Sequence, residues 1–344
     1  MLQRSIRLGA AIAVCLASMA ALAQESSAEL VAKAKAEGKL VYYTDLIIDQ
    51  IVRPMVTAFE AKYGVKVEYS RADSQDTIIK VLGEHRAGRM QADVFGLTSG
   101  LQALIEAGAV RKFAPVNAAA IPAQFKDPNQ YWVSTNYYVM TPAVNTDLVT
   151  DKDRPKSYAD LLDPRWRDKI VWKPNDMSGA PGFIANALRN MGEEKGMDYL
   201  RSLAGQRIKP IGGSARAVLD QVVAGEYPLV LQIFNHHAAL SAKKGAPVQW
   251  LKMNEPAMVQ MTLVTLTAGS RNPNAAQLFV EFMLSKEGQD LFQKADYFPT
   301  RSDTRNSMPE LAPATGGFKA NFITPDETAK DYERWARLYI ELFR

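Results

Sequence analysis

Beyond a leading apolar stretch, short runs of strand type alternate with stripes of helical type. Residues 27–37 form a helical segment that stops at Gly38, and KLVYYT (39–44) follows as a strand. From Ile48 to Tyr63 the apolar positions Ile48, Ile51, Val52, Met55, Val56 and Phe59 fall at helical spacing. Gly64 closes that segment, because glycine enters the left-handed conformation that ends helices without a Cβ penalty. VKVEYS (65–70) places Val65, Val67 and Tyr69 on one face, as a strand does. Thr77 to His85 is a predicted helix and ADVFGL (92–97) a predicted buried strand, after which TSG (98–100) opens the helix of Leu101 to Ala107. Ile170-Val171-Trp172 and Leu229-Val230-Leu231 read as further buried strands, the second ending near Gln232. This alternation predicts an α/β fold with mostly parallel strands. The chain shows no internal repeat and no low-complexity linker.

The first residues change the compartment. Arg4 and Arg7 precede an apolar stretch from Leu8 that closes on Ala21-Leu22-Ala23. That is the layout of a secretory signal peptide over residues 1–23, cleaved before Gln24. A membrane span needs about 20 apolar residues, which the stretch does not comfortably supply. Cys15 is the only cysteine and lies inside this segment, so the exported chain relies on its hydrophobic cores rather than on disulfides. Removing the segment takes two basic residues and lowers the formal charge from +4 to +2. A near-neutral chain without a basic, aromatic-interleaved tract is no nucleic-acid binder. With 47% hydrophobic residues, the remainder holds core material for about two domains.

In α/β folds, ligands sit beyond the carboxyl ends of strands, where helix N-termini offer unpaired N–H groups. Five segments stand at such places. They are Thr44-Asp45 after KLVYY, Thr98-Ser99 after DVFGL, and Ser178-Gly179-Ala180 after the strand ending at Trp172. Ser214, with Arg216 in the following first helical turn, and Asn235-His236 after the strand near Gln232 complete the set. Each alone reads more readily as a helix cap, the usual work of Ser, Thr and Asn; five at strand ends together point to a shared cleft. Ser178-Gly179-Ala180, Ser214 with Arg216, and His236 supply donor groups with no carboxylate among them, which suits a carboxylate, phosphonate or phosphate. A cationic solute would instead call on Asp45 and the rings of Tyr137 and Tyr138.

SYADLLDPRWRDKIV (157–171), VVAGEYPLVL (222–231), KKGAPVQW (243–250) and NPNAAQLFVEFMLSKEGQ (272–289) together resemble the periplasmic solute-binding proteins of ABC importers. The branch they are most similar to is that of the ferric-ion-binding proteins, with relatives that bind thiamine, phosphonates or sugar phosphates. The resemblance implies a type II periplasmic-binding-protein fold. Lobe one would comprise residues 24–138 and 262–315, and lobe two residues 139–261 and 316–344. Crossover strands would join the lobes around a ligand cleft. It also implies a monomer that captures a small solute, an anionic organic molecule on the donor set above, and delivers it to a membrane permease without a cofactor. In iron-binding members a Tyr-Tyr step follows the strand after the GE turn. An ungapped alignment of GEYPLVLQIFNHH puts Asn235 and His236 there. A glutamate ligand expected after ADVF falls near the uncharged Thr98, and no histidine follows the first strand. Ferric iron prefers anionic oxygens, so these departures count against iron held by protein ligands. Tyr137 and Tyr138 in STNYYVM remain as alternative phenolates, or as packing rings that stack on a ligand; iron(III) import is the alternative function.

Enzyme chemistry lacks its residue sets. There is no G-x-S-x-G, no H-E-x-x-H and no cysteine nucleophile, and the adjacent His236 and His237 do not have the i, i+4 spacing that aims two imidazoles at one metal. His237 is read as facing away and packing.

Overall fold

The computed structural model describes residues 27–344, so the expected signal peptide lies outside the described residues. The chain forms two compact units. Unit 1 runs to Asn136 and takes in Thr262–Ala295 and Pro299–Arg305; unit 2 comprises Tyr137–Met261, Asp296–Phe298 and Asn306–Arg344.

Unit 1 begins with helix α1 (Ala28–Glu37) and strand β1 (Lys39–Thr44). A π-helical turn, Ile48–Val52, then leads into α2 (Arg53–Tyr63). The continuous helix expected from Ile48 is therefore widened at its start. Pro54 has no N–H to give to the preceding turn, and the wide turn absorbs that loss, with Arg53 N–H reaching Ile48 O. Strand β2 (Lys66–Arg71), α3 (Ser74–Arg86), β3 (Val94–Leu97), α4 (Leu101–Glu106) and β4 (Val110–Arg111) follow. Strand β1 pairs in parallel with β2 and with β3. The returning strand Ala257–Thr267 pairs antiparallel with β3 and with β4, so the sheet is mixed. The stripe read from sequence is the core face: Ile51, Val52, Met55 and Phe59 are buried, and Phe59 meets Phe279 at 5.0 Å and Phe282 at 5.7 Å between ring centroids. Val65 and Val67 are buried beneath β2 while Lys66 and Glu68 are exposed.

Unit 2 is built on the long strand β5 (Val133–Asn145), which enters it at Tyr137. Strand β6 (Ile170–Trp172) pairs in parallel with β7 (Lys209–Pro210) and with β8 (Leu229–Phe234). Strand β5 runs antiparallel to β8 and to β9 (Val248–Trp250). Helices α5 (Ala180–Met191), α6 (Glu193–Ala204), α7 (Ala215–Val223) and α8 (Asn235–Lys243) complete the layers. The C-terminal helix Pro325–Phe343 contributes Trp335, Leu338 and Tyr339 to the core that holds Trp172, Phe183, Leu188 and Leu200. It starts with a reciprocal capping box between Thr324 and Glu327, which satisfies two otherwise unpaired N–H groups. No helix among the described residues is long and apolar enough to cross a membrane.

Candidate functional site

In unit 1 the ends of β1 and β3 and the start of α3 converge on Asp45. Its Oδ2 accepts hydrogen bonds from Thr98 N–H at 2.7 Å, Thr98 Oγ1 at 2.6 Å and Ser74 Oγ at 2.6 Å. Its Oδ1 is buried without a hydrogen-bond partner. Burial pushes the Asp45 carboxyl up from the ordinary carboxylate range, against the donors just named and the charge of Arg71. Thr44 is buried and turns its Oγ1 to the Leu46 N–H at 3.1 Å, the local capping role. Ser99 stands next to Thr98 and is half-buried. Ser74 escaped the sequence reading, because the helix was placed from Thr77. The structure starts it three residues earlier.

In unit 2 the loop before α5 carries Ser178-Gly179-Ala180, and its donors are already engaged. Ser178 N–H and Oγ both donate to Asp176 Oδ1, at 2.8 and 2.6 Å, and Ala180 N–H donates to Lys173 O at 2.8 Å. Asp176 also pairs with the Lys173 ammonium. The expectation of an anion seat with no carboxylate is corrected here, since Asp176 places one at Ser178. The physical reason is local: an Asp two residues before a serine readily folds back as an Asx turn. Gln232, within β8, donates Nε2 to Met177 O at 3.1 Å and Gly179 O at 3.0 Å, tying this loop to the sheet. Neither Asp176 nor Gln232 was singled out from sequence, although the D-x-S spacing carried the signal for the first.

Strand β8 runs two residues past Gln232, so α8 begins directly at Asn235. Asn235 is fully buried; its Nδ2 donates to Leu311 O at 2.8 Å, and its Oδ1 has no hydrogen-bond partner. His236 is buried, with Nδ1 likewise unpartnered, and its ring lies 6.1 Å from that of Tyr138 at an interplanar angle of 27°. Tyr138 also meets Phe234 and Tyr297, and Tyr137 packs on Phe298. Burial lowers the His236 pKa well below 6.5, with a smaller contribution from His237. Both Asn235 and His236 are therefore neutral hydrogen-bonding groups at neutral pH. Burial raises the pKa of the Tyr137 phenol to about 12, so without a bound metal ion it is protonated. His237 packs edge-on against Phe234 at 5.1 Å and lies 4.5 Å from the His236 ring.

Ser214 caps α7, accepting from Ala217 N–H at 3.2 Å. Arg216 donates to Asp220 at 2.9 Å and to Ser241 Oγ on α8 at 3.0 Å, so it braces the helix that carries Asn235 and His236. Two groupings emerge from the sequence candidates: Asp45 with Thr98, and Tyr138 with His236. Among the described residues, no group of three His, Cys, Asp or Glu side chains is placed to hold a metal ion.

Residues 90–320 match the family of bacterial extracellular solute-binding proteins. An uncharacterized protein of Haemophilus influenzae is 31% identical over 281 residues, covering 76% of this chain and 77% of its own. The Fe(3+)-binding periplasmic protein of Serratia marcescens is 23% identical, covering 73% of this chain and 75% of its own. Among solved structures, iron-bound HitA from Pseudomonas aeruginosa matches with a TM-score of 0.74 at 23% identity, covering 88% of this chain and 99% of that one. The periplasmic binding protein AfuA from Actinobacillus pleuropneumoniae, with exogenous fructose-6-phosphate bound, matches with a TM-score of 0.71 at 26% identity, covering 88% and 99%.

Proposed function

Because the chain belongs to the bacterial extracellular solute-binding proteins, non-catalytic periplasmic receptors of ABC importers, we propose that the cargo it hands to its membrane permease is iron(III). The observation that carries this reading is the alignment with the Serratia marcescens Fe(3+)-binding protein over most of both chains. The donor set supports one form of the cargo. Ferric iron needs anionic oxygens, whereas Asn235 and His236 are neutral and no group of three His, Cys, Asp or Glu side chains among the described residues is placed to hold a metal ion. The iron therefore arrives with its own oxygen ligands, as a complex with an organic anion. The protein meets that complex through hydrogen-bonding side chains, with Thr98, Ser99, Tyr138, Asn235 and His236 the candidates.

A second reading, a phosphorylated sugar or similar organic anion without metal, is favoured by one observation. The sugar-phosphate-bound AfuA structure shares 26% identity with this chain, against 23% for the iron-bound one. Calorimetric titration separates the two. Ferric citrate is expected to bind saturably, much more tightly than citrate alone, and without a phenolate-to-iron absorption band. A red colour that is lost in Tyr138→Phe would show protein phenolates on the metal. Tight binding of fructose 6-phosphate, with ferric citrate giving no heat, would replace the iron reading by the second.

A further inference from the structure

Asp45 stands directly after β1, with its N–H donated to Gly96 O on β3 at 3.1 Å. Its Oδ2 takes the Thr98 N–H at 2.7 Å and the hydroxyls of Thr98 and Ser74 at 2.6 Å each. Hydroxyls that donate to an ionised carboxylate stand at about 2.5–2.7 Å, as both do here. A hydroxyl has one hydrogen to give and two lone pairs that accept. With their hydrogens spent on Asp45, Thr98 Oγ1 and Ser74 Oγ can only accept from any other group. The two hydroxyl oxygens lie 3.3 Å apart, too far for either to compete with the carboxylate. Ser74 is 7% exposed whereas Thr98 is half-buried, so Thr98 is the hydroxyl that a solute can reach. In unit 2, Asn235 has the same polarity: its Nδ2 donates to Leu311 O, and its Oδ1 is a buried acceptor without a donor.

We infer that Asp45 is a positioning residue of the solute site: by holding the Thr98 hydrogen, it makes Thr98 an acceptor that reads an O–H donor on the cargo, a hydroxyl or a metal-bound water. The inference rests on the reading that Thr98 meets the cargo. An anionic oxygen of the cargo finds no donor in the Thr98 hydroxyl or N–H, because Asp45 already uses both. A cargo hydroxyl or water finds lone pairs instead, strengthened as acceptors by the hydrogen bond that runs on to the carboxylate. Water on a metal ion is a strong donor, since the ion lowers its pKa. Asp45 itself need not touch the cargo; its second oxygen, Oδ1, is buried. This role and a plain charge effect have opposite signs. Deleting a negative charge near an anionic complex strengthens binding, whereas releasing the Thr98 hydrogen weakens it.

The test is calorimetric titration of the full protein with ferric citrate and, in parallel, with fructose 6-phosphate, whose hydroxyls supply the donor without metal. For whichever probe the parent binds, Thr98→Val should weaken binding about three- to tenfold, the loss of one hydrogen bond. Thr98→Ser keeps the acceptor and should keep most of the affinity. Asp45→Ala should weaken binding about threefold. Asp45→Asn should restore most of that loss, because its amide oxygen faces the Thr98 N–H and so leaves the hydroxyl turned the same way. In a Thr98→Val background, Asp45→Ala should change the affinity no further, whereas additive losses would make Asp45 merely structural. Thermal melting checks that each variant is folded, and Asp45→Leu replaces Asp45→Ala if the latter is not. An affinity unchanged in Thr98→Val, or raised by Asp45→Ala, would overturn the inference while the cargo reading stands. A parent that binds neither probe would overturn both.

Discussion

His237 is a group whose protonation state is set by the fold. Burial lowers its pKa to about 4, with Arg216 adding to the effect and Asp220 opposing it. An unfolded histidine titrates near 6.5. Between these values the unfolded chain binds the proton and the folded chain does not. The stabilisation from this residue is therefore complete above pH 6.5 and is lost as pH falls towards 4, by up to about 3 kcal/mol. The neighbouring His236 shifts in the same direction, so the two add. His237→Phe keeps the ring against Phe234 and removes the titration. Urea unfolding at pH 7 and pH 4.5 should show a clearly smaller loss of stability in that variant than in the parent. Equal losses would mean that His237 is not withheld from protons by the fold.

At the scale of elements, the first turn of α5 depends on glycine for its close approach to the loop that precedes it. A Cβ on Gly182 would stand 1.9 Å from Met177 O and 2.8 Å from Gln232 Nε2. Backbone cannot yield as a long side chain can, so Gly182→Ala should cost about 1–3 kcal/mol, the usual range for overpacking. Gly83 makes the opposite case. It sits inside α3 with nothing within 4 Å of the added atom. Gly83→Ala should then stabilise by about 0.5–1 kcal/mol, because alanine loses less backbone entropy in a helix. Denaturant midpoints of the two variants should move in opposite directions. A destabilised Gly83→Ala would show that contact, not backbone entropy, rules that helix.

For the whole molecule, the proposed cargo residues are distributed over the two compact units: Thr98 and Ser99 in one, Tyr138, Asn235 and His236 in the other. A ligand bound only by the native state stabilises it by about 2.7 kcal/mol at a hundred times its Kd. Proteins of more than one domain need not unfold in a single step. Differential scanning calorimetry with ferric citrate should therefore raise the melting of the unit that holds the cargo, and no shift in either would count against the iron reading. If only one component of the thermogram shifts, the cargo is held by one unit and half of the candidate set is structural.

The alternation of strand and helix was legible because each period answers to a local rule. KLVYYT and Ile170-Val171-Trp172 are strands with the ends expected of them, and Gly38 and Gly64 close their helices in the left-handed conformation. Family membership was also legible, since several spaced motifs survive without any knowledge of contacts. The electrostatics of the site were not. Nothing local says that Asp176 will occupy the donors of Ser178, or that Ser74 and Thr98 will converge on one oxygen of Asp45. Hydrogen-bonding capacity is written in the residue types, but which partner uses it is decided by packing. The protonation of Tyr137, His236 and His237 follows from desolvation, which exists only once neighbours from distant parts of the chain have closed around each group.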